Sequence, residues 1–184
     1  VQGQPLHRLS DRELDAAVVG RDLPRRRGDG RLRLFHGDRA ALDAVLAEYQ
    51  VAVPEAVVAE LEETAAYDDE QAQAASRFLD RRDEFSTVAV PLDSNFPLDD
   101  GENAAVELAN DRDAAMLLCD EFNKIGLIHA SLDDVKLVTT PKFLLVLETR
   151  GVLSTEEIPP LLDEIGDIRS WDGNSYVKRV RDRL

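Results

Sequence analysis

The chain has 184 residues, 43% of them hydrophobic, which suits one domain with a sizeable core rather than two. Its 37 acidic residues against 22 basic ones leave a net charge of −15, which argues against a simple basic nucleic-acid footprint, because polyanions are repelled at low salt. The longest apolar run, Ala114–Cys119, is far short of the ~20 residues of a membrane span, and no charged start leads into an apolar leader, so a soluble, cytoplasmic chain is expected. The single cysteine, Cys119, allows neither an intrachain disulfide nor a cysteine-based zinc site, and its apolar surroundings predict a small buried hydrophobe. His7, His36 and His129 are scattered, and no two have metal-ligand spacing.

Ser10-Asp11-Arg12-Glu13 has the form of a capping box and predicts a short helix through Val18. Arg21–Arg33 follows, with six arginines, two glycines and one proline, and nothing else in the chain resembles it. From Asp38 the pattern becomes orderly. Ala41, Leu42, Val45 and Leu46 predict a helix over 38–48, and Val51–Val53 a short strand. Pro54 fits the first turn of a helix reaching about Thr64. Ala72, Ala75, Phe78 and Leu79 mark the inner face of a helix over 69–83. Phe85–Val90 is a predicted strand, Asp93–Asp100 a loop, and Gly101-Glu102 opens another helix. Ala114–Cys119 is apolar throughout, which predicts a central strand in a parallel sheet. A helix over 122–132, a strand over 135–138 and a helix over 141–150 follow, the last closed by Gly151 as the residue after its cap. Ser154 and Glu157 cap a further helix, and 176–183 is the last. Trp171 lies in the turn before it and is read as a packing lid. Strands alternating with helices predict an α/β fold, a three-layer α/β/α domain with a short parallel sheet.

In such sheets ligands bind at the carboxyl ends of strands and at the helix starts beyond them. Asp120 and Glu121 follow the apolar strand directly. Glu102 stands at a helix start, just after Asp99 and Asp100. Glu60 lies on the helix after the first of these strands, beside Val57, Val58 and Leu61. Carboxylates gathered at one point repel unless a cation neutralises them, and hard oxygen donors favour Mg2+ or Mn2+. Each of these acids also has a plainer role open to it. Any one of 37 acids is by default a solvated charge, and Glu102 equally suits a helix-dipole partner.

Four segments carry a family resemblance. Val51–Leu61 (VAVPEAVVAEL) resembles the strand, Val-Pro, helix and Glu-Leu element of PIN domains. Leu98–Ala109 (LDDGENAAVELA) is similar to their Asp-x-Gly-Glu helix start. Leu117–Glu121 (LLCDE) resembles their acidic strand end, and Leu137–Leu145 (LVTTPKFLL) their Thr-bearing strand end, near Thr140. The resemblance covers residues 38–184 in family order. It implies a metal-dependent ribonuclease, and the toxin of a toxin–antitoxin pair is the expected setting. Glu60, Glu102 and Asp120 would be catalytic and would hold Mg2+ or Mn2+, with Asp100 and Glu121 as further metal candidates and Asp99 in an outer shell. It further implies an RNA substrate, an antitoxin partner and a homodimer. Only four of the bases are lysines, and this acidic, lysine-poor composition resembles that of proteins from salt-loving archaea.

Residues 1–37 depart from the pattern as an atypical Arg-rich segment. The family's first strand ends in Asp-x-Thr/Ser/Asn, and no such motif occurs there; Val18-Val19 and Leu32–Phe35 are the only strand candidates. Two readings of the arginine window are a disordered basic loop and an RNA-binding arm. A third starts from its codons. Read one base later from Gly20, their degenerate pattern permits Asp-Ala-Thr-Phe-Leu-Ala-Val-Ala-Ala, an apolar start with the missing motif, so the expectation is a shifted frame up to roughly residue 34. Without the first Asp, the alternative function is a catalytically inactive PIN-like binding or regulatory module. No Gly-rich phosphate loop is present, which counts against a nucleotide-binding α/β protein.

Overall fold

The computed structural model describes residues 16–22, 37–92, 97–168, 171 and 173–184. Five strands form one sheet: β1 (Ala16–Asp22), β2 (Tyr49–Pro54), β3 (Ser86–Val88), β4 (Met116–Cys119) and β5 (Lys136–Val138), in the order β3-β2-β1-β4-β5. The helices are α1 (Gly37–Glu48), α2 (Glu55–Thr64), α3 (Glu70–Leu79), α4 (Asp100–Asp111), α5 (Ile125–Ala130), α6 (Thr140–Thr149), α7 (Ile158–Ile168) and α8 (Ser175–Arg181). From residue 37 onward the elements follow the sequence pattern, with the strands at 86–88 and 116–119 and the helix at 125–130 shorter than expected, the strand at 49–54 longer, and the helix expected over 69–83 ending at Leu79 before a separate 3-10 turn at Arg82–Glu84.

The parallel sheet needs one correction. β2 pairs parallel with β3, and β4 pairs parallel with β5, as expected. The strand between the two pairs, β1, is antiparallel to both of its neighbours. β1 also replaces the end of the helix expected through Val18; Ser10–Asp15 lie outside the described residues. The gap between β2 and β4 exposes two rows of backbone donors and acceptors that must be paired, and a strand of either direction pairs them. Val18-Val19 supplies it, with a register break between Val19 and Asp22. Leu32–Phe35 and the arginine window beyond Asp22 lie outside the described residues. β4 is therefore one place from the centre of the sheet, and the centre comes from the atypical first segment.

Helix α4 crosses the middle of the sheet, against β1, β2 and β4. Ala104, Ala105 and Ala109 are fully buried on it, and small side chains let a helix lie close to a sheet. Helix α2 packs beside α4, and α3 against α2; Val57, Val58 and Leu61 form the inner face of α2. A second group joins α1 to α7 and α6 to α7 and α8, with α1 reaching β2 and α6 reaching β4. Tyr49, Val53, Leu117, Phe143, Leu144 and Leu162 are the buried centre of one continuous core, in which Cys119 is also buried. Trp171 is buried too, edge-on to Phe122 at 5.9 Å, so it packs as a lid.

Local chemistry sets the helix ends. Asp69 accepts a hydrogen bond from the Ala72 amide at 2.7 Å to start α3. Ser154 and Glu157 form a capping box at the short 3-10 turn (Thr155–Glu157) that leads into α7. Gly151, at φ +72°, ends α6 in the left-handed region, where its amide donates to the Glu148 carbonyl at 2.8 Å.

Candidate active site

All four parallel strands end on one edge of the sheet, where Asp120 follows β4 and the Lys124 contact ties Glu102 to the loop after that strand. Asp120 follows β4 directly and is buried, 6% exposed. Its Oδ1 accepts a hydrogen bond from the Thr140 amide, the first residue of α6, at 2.7 Å. The Thr-bearing strand end thus orients the acid at the neighbouring strand end through its backbone.

Glu102 is 4% exposed, at the first turn of α4. Asp99 and Glu102 close a reciprocal capping box. The Glu102 amide donates to Asp99 Oδ1 at 3.1 Å, and the Asp99 amide donates to Glu102 Oε2 at 3.2 Å. The plain helix-start role of Glu102 is therefore real. It does not account for the burial, which pushes the carboxyl pKa up from its ordinary value; the hydrogen bond from Lys124 pulls the other way.

Lys124 is the charged neighbour of these acids that sequence reasoning missed. Its Nζ lies 3.0 Å from Glu102 Oε2 and 3.6 Å from Asp99 Oδ2. The Glu102 hydrogen bond in turn raises the lysine pKa. One signal was available: a lone lysine, one of four in the chain, lies four residues after Asp120 in an acidic loop.

Glu60 reaches the same helix start from α2. A Cβ built on Gly101 would lie 2.7 Å from Glu60 Oε2 and 2.8 Å from Oε1. The missing side chain at Gly101 is thus the space the Glu60 carboxylate fills, next to Glu102 in the chain. What glycine provides here is room for this close approach, not an unusual φ.

The two further metal candidates, Asp100 and Glu121, have different surroundings. Asp100 is exposed on the first turn of α4, where it suits the helix dipole. Glu121 turns back on its own loop, and its Oε1 accepts from the amides of Asn123 at 2.8 Å and Lys124 at 3.2 Å. Among the described residues, no three His, Cys, Asp or Glu side chains converge as a metal-holding group.

Strand direction removes Asp22 as a substitute for the missing first acid. Ala16 pairs with Cys119 at the carboxyl end of β4, whereas Asp22 pairs with Tyr49 at the start of β2. Asp22 therefore sits at the opposite edge of the sheet from Asp120. It cannot stand in for a strand-end Asp of the site.

These features define an α/β domain with buried carboxylates at the carboxyl edge of its sheet. A protein-family model described as a PIN domain matches residues 39–184, and the chain belongs to that family, with its nuclease-like fold. The match begins downstream of the arginine window. No curated protein and no solved structure matched the chain. No helix among the described residues is long and apolar enough to cross a membrane.

Proposed function

We propose that the chain is a PIN-type ribonuclease that hydrolyses RNA phosphodiester bonds with a bound Mg2+ or Mn2+. The observation that carries this reading is the burial of Glu102 and Asp120 at one sheet edge, with the Glu60 carboxylate seated on Gly101, next to Glu102 in the chain. Buried carboxylates are costly without a counter-charge, and the ammonium of Lys124 on Glu102 is a stand-in for a cation. The donors are hard oxygens, so their chemistry fits such an ion. Glu60, Glu102 and Asp120, the acids that the family resemblance marks, would hold it, and binding would have to draw together side chains that do not converge in this structure. When bound, a divalent ion supplies an acidified water and neutralises charge developing on phosphoryl oxygens. The chain contributes placement: the Thr140 amide orients Asp120, the capping box orients Glu102, and the bare Gly101 leaves room for Glu60.

With a net charge of −15, RNA cleavage should need screening salt as well as metal. Replacing Asp120 by Asn tests the reading. Mn2+-dependent cleavage of single-stranded RNA should fall by at least about a hundredfold while the far-UV spectrum and melting point hold. Cleavage at the wild-type rate in that variant sinks the assignment. An antitoxin partner and a homodimer belong to the same proposal, and light scattering with and without the product of the neighbouring gene tests them.

A second reading, a catalytically silent PIN module, is favoured by the reversed β1, which leaves Asp22 at the wrong edge. Calorimetry separates the two: absence of Mn2+ binding at millimolar metal supports the silent module.

A further inference from the structure

Glu102 is almost wholly buried, yet the cation paired with it is not. The Lys124 side chain is 38% exposed, so it reaches the carboxylate from the solvent side. Lysine is suited to this: its ammonium is a compact charge on a flexible four-carbon stem that can swing into water. Its backbone, in contrast, is held. Glu121 Oε1 accepts from the amides of both Asn123 and Lys124, which fixes the turn from which the side chain rises. Asp99 supplies a second anionic oxygen at 3.6 Å while its other oxygen caps Glu102. A fixed base, a mobile stem and a buried anionic end together make a displaceable counter-ion.

We propose that Lys124 is a built-in counter-ion that occupies the cation position on Glu102 and must swing out before a divalent ion can bind there. The inference rests on the divalent-cation reading above. It makes Lys124 a positioning residue acting through Glu102. The same ammonium cannot neutralise Glu102 and leave that oxygen to a metal ion, so the two cations compete for one carboxylate. Stability without metal and affinity for metal are then opposed at this residue, and a purely structural ion pair has no such opposition.

The test is Lys124→Met, measured without RNA. Its melting point in EDTA should fall by several degrees, because a buried carboxylate loses its partner. Its Mn2+ affinity by calorimetry should rise by about tenfold or more over wild type, because the competing charge is gone. Lys124→Arg, which keeps the charge, should stay near wild type in both. If the Met variant does not fold, Lys124→Gln removes the charge and keeps a hydrogen-bond donor, and the same rise is expected. Equal or weaker Mn2+ binding by the neutral variants, with wild type binding normally, overturns the role of Lys124 alone. No Mn2+ binding by any of the proteins overturns this inference and the divalent-cation reading together.

Discussion

Replacing Gly101 by Ala tests whether the Glu60 carboxylate belongs to the site. The new Cβ would lie 2.7 Å and 2.8 Å from the two carboxylate oxygens and 3.0 Å from Cδ. To bring the closest oxygen to 3.4 Å, the lower end of ordinary contact, the carboxylate must retreat by roughly 0.7 Å. It is the far end of a flexible side chain, so it can do so, at about 0.5–1.5 kcal/mol if a torsion is pushed off its rotamer. Against this, Ala in place of Gly favours a helix by up to about 1 kcal/mol, and less in a first turn. The two effects nearly cancel, so the melting point should stay within about 4 °C of wild type. Function should not be spared. A ligand displaced by a sizeable fraction of an ångström costs up to about a hundredfold in rate. The assays are a thermal melt and Mn2+-dependent cleavage of a labelled single-stranded RNA, with Mn2+ calorimetry alongside. Wild-type cleavage and affinity in Gly101→Ala would refute a role for the Glu60–Gly101 contact. A loss of more than about 10 °C would refute the claim that the carboxylate can step aside.

Two further outcomes are expected. Burial raises the Glu102 pKa above its value in the unfolded chain, so the folded protein holds this proton to higher pH. The resulting stability is fully present below about pH 4.5 and is lost as pH rises through the raised folded value. Glu102→Gln should therefore flatten the fall in melting point over that window, and a pH profile parallel to wild type would show that Glu102 does not titrate as argued. A chain carrying Asp-Ala-Thr-Phe-Leu-Ala-Val-Ala-Ala in place of residues 20–28 should bind Mn2+ more tightly than the present chain, by about tenfold for one added carboxylate. A stop codon in the shifted frame of the gene between Gly20 and Arg33 would end that line of reasoning, as would unchanged affinity.

The parts legible from sequence were those with local causes. The apolar periodicity of α2 and α3, the capping boxes at Asp99 and Ser154, and Gly151 after α6 each act within one turn of chain. Acidic residues directly after a strand or at a helix start were recognisable for the same reason, and Glu102 and Asp120 lie buried at those places. Asp100 and Glu121 share that proximity, yet the first is exposed and the second accepts from its own loop. Spacing does not say which way a side chain turns, and Glu121 finds nearer donors in its own loop.

The amino-acid sequence by itself determined the α/β elements from residue 37 onward, their order, and the acids at the sheet's carboxyl edge. Only the tertiary structure decided the direction of β1, and with it the side of the sheet on which Asp22 falls. It also brought the Lys124 ammonium onto Glu102, and the Glu60 carboxylate onto Gly101 across two helices. The reason is physical. Helix periodicity and caps are set by neighbours in the chain. Strand direction in a backbone ladder and the partner of a buried charge are set by groups distant in sequence that meet only when the core closes.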